Sequence, residues 1–419
     1  MEYQLKLLSI NDFITRIHDV TKDLGVEVDV LSIGTSRSGN VIEALKISYL
    51  PRRALFLGFA HPNEPLCEPI MEAIVQEAAI WQSPNNHECW YLVPVWDVDG
   101  ALKNQAWWSD TVSIARMIDH WYRPDPSQQV EWTFPLNYGG IHFDQPLPET
   151  DAVRRLIDMS NPELLVSLHN GVFPGAYTLI SPQGSQLAPK IRDVFHTYGL
   201  DPKMYSPIPY VETFAEGVFG LPHARLEIDY LRSLEPEGSL SFYDNGGASF
   251  DYVNASCMSL VMELPLFKWI GGALANSPVR RRDLVARQIK LWESLEQDLA
   301  DAFADPELLL SDHPLLSSPR YFYRRRKSDL TTIKKGLANA IENDDLAQEA
   351  DLQNYMATLF TVSTQYSQLF RGGGRYTNTA ESARSELEML AKDHLSELDT
   401  HIITNAGRAI IRHLLDGMR

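Results

Sequence analysis

Cysteine is nearly absent: 419 residues contain three, Cys67, Cys89 and Cys257, widely spaced and set among apolar neighbours. So sparse a set excludes a disulfide framework or a cysteine-rich zinc site, and all three read as buried free thiols. Long apolar runs are missing too, since none approaches the roughly 20 residues that cross a bilayer. The first residues, MEYQLKLLSINDF, lack the basic start and apolar stretch of a signal peptide. Nor is there a basic excess. Against 55 Asp and Glu stand 37 Lys and Arg, and the net charge of −18 argues against nucleic acid as a partner. What is present is ordinary for a globular chain, 44% apolar and 22% charged. The length allows one core of roughly 250–300 residues with an appendage, or two domains. A cytoplasmic enzyme without membrane or nucleic-acid partners is the expectation.

Periodicity divides the chain. Over residues 1–270 strand patterns (27–33, 42–48, 54–59, 89–95, 163–168, 176–180 and 256–263) alternate with helix patterns (11–24, 65–82, 151–158 and 187–198), which argues for an α/β sheet. Thr150 reads as the cap of the 151–158 helix, and Pro265 as a stop to the strand before it. Residues 101–150 follow no regular pattern, and so long an irregular stretch in a compact domain is usually functional. Beyond Pro278 strand character disappears. A long helix is expected over 280–303, then a connector, a basic knot (Arg324, Arg325, Arg326, Lys327) that reads as a solvated surface, and a helical region. The expected division is therefore a catalytic domain over 1–275, a helix and connector over 276–327, and a helical region over 328–419. The last could serve as a lid or mediate homo-oligomer formation.

The organising stretch is ALFLGFAHPNE, residues 54–64. Its apolar strand runs into His61 and Glu64 before a helix, and the carboxyl ends of strands are where open α/β sheets place ligands. An imidazole and a carboxylate three residues apart can hold one metal ion between them. The same spacing recurs at His394 and Glu397, but there in a charged amphipathic segment with no strand before it, which reads as a helix face. Two further strands end in chemistry: ELLVSLHN at His169 and SCMSLVME at Glu263. Two histidines and a glutamate suit one zinc ion and leave a fourth position for water, and a carboxylate not bound to the metal can move that water's proton. His61, Glu64 and His169 are thus the candidate ligands and Glu263 the candidate general base.

With these residues in place the chain resembles the zinc carboxypeptidase family over roughly residues 25–270. The resemblance is carried by GTSRSGN before the metal segment, HPNE, VPVWDVDG, LLVSLHN, FYDNGGASFDY and LVMELP, in that order. It implies a mixed, mostly parallel sheet flanked by helices, one zinc ion on His61, Glu64 and His169, and Glu263 as general acid and base. Tyr243 takes the place of the family's mobile tyrosine over the substrate, and Phe250 falls near its specificity pocket. The departures concern substrate. Where the family reads a terminal carboxylate with an asparagine–arginine pair this chain has FPLNYGG, so that Asn137 stands for the asparagine and Tyr138 replaces the arginine. After DVDG only Lys103 is found where an oxyanion-stabilising arginine is expected. Arg123 in HWYRPDP is the first candidate for that cation, with Arg116 and Arg225 behind it.

The resulting expectation is a zinc-dependent hydrolase that removes a C-terminal residue from a peptide or amino-acid conjugate. The alternatives are an amidase or deacylase acting on a small modified peptide or amino-acid derivative, and a catalytically silent peptide-binding relative.

Overall fold

The computed structural model describes residues 5–234, 240, 243–271, 279–325, 334 and 346–418. Two of the basic-knot residues, Arg326 and Lys327, lie outside them. The chain divides into two compact units, one within Met1–Asp110, Pro126–Leu266 and Glu397–Arg419, the other within Thr111–Asp125 and Phe267–Ser396.

The first unit is built on a nine-stranded sheet. Its strands are β1 (Val28–Thr35), β2 (Val41–Leu50), β3 (Ala54–Leu57), β4 (Glu88–Val93), β7 (Leu164–Gly171), β8 (Tyr177–Ile180), β9 (Thr213–Ala215), β10 (Val218–Gly220) and β11 (Met258–Pro265), while β5 (Leu136–Tyr138) and β6 (Ile141–Phe143) form a separate hairpin. The order across the sheet is β1-β2-β4-β3-β7-β11-β8-β10-β9. β4, β3, β7 and β11 are parallel neighbours, and the pairings β1–β2, β2–β4, β11–β8 and β10–β9 are antiparallel. Only β2, β8 and β10 therefore run against the common direction, and the sheet is mixed and mostly parallel, as expected. The central strands are apolar throughout because both faces are covered: ALFL of β3 is wholly buried, as is β7 up to Asn170.

Helices flank this sheet. The helix Ile10–Asp23, capped by the Ser9 hydroxyl, buries Phe13, Ile17 and Val20 at helical spacing. The C-terminal helix Thr400–Gly417 packs on the helix Cys67–Trp81, where Gly407 allows close approach: a Cβ there would meet Ile70 Cγ1 at 2.9 Å. Beside that contact the wholly buried Glu77 receives the guanidinium groups of Arg408 and Arg412.

Two local expectations are corrected. Thr150 does not cap a helix. The helix begins earlier, at Pro148, where proline fits the first turn, and the Thr150 hydroxyl instead donates to Val130 O at 2.7 Å and contacts Thr133 Oγ1 at 2.6 Å. Pro265 does not stop its strand either. Pairing with β8 ends at Glu263, pairing with β7 runs on to Pro265, and Leu266 N donates to Gly171 O. Backbone alternation turns the proline nitrogen to the β8 side, where a donor is no longer needed.

The second unit is mostly helical, with a short strand at Phe267–Trp269. Its long helix Glu349–Arg371 packs on Arg281–Ala302, Asn378–His394 and Ile114–His120. Arg371 Nη1 donates to Trp121 O at 2.9 Å, and Arg384 pairs with Asp119 and Glu388. Arg325 turns onto the Tyr321 ring, 5.3 Å from its centroid. No helix among the described residues is long and apolar enough to cross a membrane.

Candidate metal centre

Strand β3 stops at Leu57, two residues short of the expected end, because Gly58 lies against the chain leaving β4: a Cβ there would meet Pro94 O at 2.4 Å. Phe59 then takes a positive φ of 49°. The segment stays tied to its neighbour through Gly58 N to Val93 O, Trp96 N to Gly58 O and Asp97 N to Phe59 O. His61 to Glu64 form a turn beyond the strand, closed by Glu64 N donating to His61 O at 3.3 Å. Leu66 N donates to the Asn170 side chain at 3.0 Å and fastens this loop to β7. His169 itself lies inside β7, since that strand continues to Gly171.

These elements bring His61, Glu64 and His169 together. One ligand atom from each lies within 4.8 Å of the others, and all three residues are 4% exposed. His169 Nδ1 stands 2.9 Å from Glu64 Oε2, and the two imidazole rings meet edge to face at 4.7 Å. Trp132 stacks on His61 with centroids 6.0 Å apart. Among the described residues this is the one such group of three, and His394 is not part of one. That histidine instead ends a helix of the second unit, stacked on Trp269 at 4.9 Å.

A second layer fixes the His169 ring. Its Nε2 lies 2.9 Å from Ser167 Oγ, which in turn reaches Glu131 Oε2 at 3.5 Å. The other Glu131 oxygen accepts from the Ser249 amide at 3.1 Å and hydroxyl at 2.7 Å. A hydroxyl that donates toward Glu131 accepts from Nε2–H, which leaves Nδ1, facing Glu64, as the nitrogen that could bind a metal. Burial raises the Glu131 carboxyl, against the pull of His169 and Ser249. Burial also pulls the His169 imidazole down. Glu64, by charge and hydrogen bond, with Glu263 and Glu131 behind it, outweighs that and carries His169 up to about 8. Carboxylates that together raise a buried imidazole make a setting that favours a cation. Two imidazoles and a carboxylate, buried and converging, are a donor set that fits zinc.

Glu263 is the register partner of His169 across β11 and β7, and Tyr177 of β8 is the partner of Glu263. Directly opposed residues share a face, so His169, Glu263 and Tyr177 form a row across three strands.

The remaining candidates fall elsewhere. Phe250 is buried, with its ring 6.4 Å from Trp132 and 5.6 Å from His223, one aromatic contact removed from His61. Tyr243 packs against Leu136, Ala224 and Ile228, its hydroxyl 3.4 Å from Glu227 Oε2, and burial raises that phenol. Asn137 is exposed on β5, and the Tyr138 hydroxyl donates to Asp229 at 2.8 Å. Arg225 lies over the Tyr138 ring at 5.5 Å, and Lys103 donates to Asp99 O at 3.2 Å. Arg116 and Arg123 belong to the second unit, where Arg123 N donates to Gln368 Oε1 at 3.5 Å.

Glu131, Trp132, Ser167 and Tyr177 are site-side residues not found from sequence. Ser167 carried a signal, being two residues from His169 on one strand and hence on the same face. Nothing distinguished Glu131 from other acidic residues in the irregular stretch.

No protein-family model and no curated protein sequence matches the chain. Among solved structures it is similar to carboxypeptidase A from Helicoverpa armigera, with a TM-score of 0.41 and 14% identity over 81% of this chain and 75% of that one. A metallo-carboxypeptidase from Burkholderia cenocepacia gives 0.35 and 15%, over 61% of this chain and 58% of that one. One from Pseudomonas aeruginosa gives 0.35 and 18%, over 60% and 59%. The chain thus spans less than two thirds of the two bacterial enzymes. Likenesses this distant leave the chemistry to be argued from the site itself.

Proposed function

We propose that this chain is a zinc-dependent hydrolase that cleaves an amide bond, with His61, Glu64 and His169 as ligands and Glu263 as general acid and base. The observation that carries the reading is the β7–β11 register: a carboxylate opposite a histidine of the metal-capable group, on the same face. Zinc held by the three side chains would supply Lewis acidity and lower the pKa of a bound water toward 7.

The protein's own part is proton transfer and placement. Glu263 is half-buried, next to but outside the ligand group, and so remains able to take a proton from the attacking water and return it to the departing amine. Ser167 and Glu131 hold the His169 ring so that Nδ1 stays turned to the site. Trp132 covers one face of His61, and Phe250 extends that apolar wall, which suits an apolar or aromatic group beside the scissile bond.

The substrate class proposed is a peptide or amino-acid conjugate trimmed at its C-terminal end. The test is hydrolysis of N-acyl dipeptides by zinc-loaded protein. Turnover that a chelator abolishes and added zinc restores supports the reading, and turnover indifferent to both rejects it.

A further inference from the structure

Trp132 stands at the metal-capable group with its only polar side-chain atom unused. It closes the short turn Val130–Trp132, and its backbone is pinned on both sides: Trp132 N donates to Gln129 O at 3.1 Å, and Trp132 O accepts from Gly246 N at 2.7 Å. Glu131 before it turns to Ser167 and Ser249 on the His169 side, while Trp132 turns to His61. The two ring planes differ by 29° and the centroids are 6.0 Å apart. Carbon contact across a stack needs only about 3.5–4.0 Å, so the rings are offset and an edge of the indole projects past the imidazole. Among the described residues the indole N–H has no acceptor. Tryptophan N–H groups usually find one. Trp96 donates to Glu149 O at 2.9 Å, Trp107 to Asn104 Oδ1 at 3.3 Å and Trp108 to Leu8 O at 2.8 Å. The N–H of Trp90 is also unpaired, but that ring is wholly buried, whereas Trp132 is half-buried beside the site.

We infer that the Trp132 indole N–H donates to the oxyanion that forms when the scissile carbonyl is attacked. This rests on the hydrolase reading, which it deepens. As the water oxygen bonds to the carbonyl carbon, the π pair of the carbonyl moves onto its oxygen and the water's proton goes to Glu263. When that pair returns, the C–N bond breaks and Glu263 gives the proton to the departing amine. The charges felt at His169 are those of Glu64, Glu263 and Glu131, all negative, so the site needs a donor for a further negative charge. Lys103 and Arg225 are engaged with Asp99 O and the Tyr138 ring. The oxyanion exists only between the two steps, so a donor held in place beforehand raises turnover without tightening substrate binding. A neutral N–H does this without setting a positive charge beside the candidate ligand His61.

The experiment uses zinc-loaded wild type and Trp132→Phe, which keeps an aromatic face on His61 and removes the N–H; Trp132→Met replaces it if that variant does not fold. Hydrolysis of N-acetyl-Phe-Phe is measured beside calorimetric binding of a phosphinic dipeptide analogue, whose tetrahedral oxygens mimic the oxyanion, and of the product N-acetyl-phenylalanine. In Trp132→Phe kcat should fall by about 10- to 100-fold, the size of one hydrogen bond to a charged group, with KM and zinc content unchanged. Affinity for the phosphinic analogue should fall by a similar factor and that for the product should not. In proton–nitrogen correlation spectra of wild type, the one indole resonance missing from Trp132→Phe should move downfield when the analogue binds, which a ring that merely covers His61 would not do. Turnover and analogue affinity both kept in the variant overturn the inference and leave the hydrolase reading standing. Equal losses for analogue and product also overturn it, since the ring is then only a wall. If wild type hydrolyses nothing but binds the analogue with the downfield shift, the N–H is an oxyanion donor and the hydrolase reading falls. Wild type that does not bind the analogue, or binds it without the shift, overturns the inference.

Discussion

Glu263 and His169 face each other across the parallel pair β11 and β7, residue opposite residue, on one side of the sheet. The pairing places a carboxylate within the electrostatic reach of the buried imidazole, whose pKa it helps raise. Of the two, His169 belongs to the metal-capable group and Glu263 does not.

That division predicts the behaviour of Glu263→Gln. The substitution keeps the shape and removes the base, so zinc content should match wild type while kcat falls by about 10²- to 10⁴-fold. Single-turnover hydrolysis with metal analysis on the same sample checks both. Unchanged hydrolysis removes Glu263 from the role.

The chain Glu131, Ser167, His169 predicts a separate effect on the metal. Ser167→Ala and Glu131→Gln leave every ligand in place but release the ring that presents Nδ1. Zinc affinity should fall by about 10- to 100-fold in each, measured by competition with a chromophoric chelator. Affinity equal to wild type in both would make this layer a matter of packing alone.

His169 predicts a pH dependence of opposite sign in the two forms of the protein. In the metal-free protein its pKa is raised to about 8 from 6.5. The stability this contributes is fully present below pH 6.5 and is lost as pH rises through 8. Zinc requires the unprotonated imidazole, so zinc affinity should instead grow over that window. The difference in Tm between loaded and metal-free protein should therefore widen from pH 6 to pH 9, and His169→Asn should flatten the metal-free curve. A difference that narrows with pH contradicts the assignment.

Legibility from sequence tracked periodicity. The alternation of apolar strands and amphipathic helices was enough to indicate the α/β sheet, and the strand-to-helix setting separated His61 and Glu64 from His394 and Glu397. Strand ends were less accurate. β3 stops at Leu57 because Gly58 lies against Pro94, and β7 runs past His169 to Gly171. Both depend on neighbours distant in sequence. Thr150 met the local rule for a cap, yet its hydroxyl found Val130 and Thr133. Register was not legible at all, since nothing in LLVSLHN or LVMELP states that His169 meets Glu263.

The central claim is that His61, Glu64 and His169 hold one zinc ion, and metal content tests it most directly. Chelator-free protein analysed by mass spectrometry of its metals should carry about one zinc per chain, nearly all of it lost in the His61→Ala, Glu64→Ala double variant. Well under half an equivalent in wild type after zinc loading, or zinc undiminished in the double variant, would contradict the account.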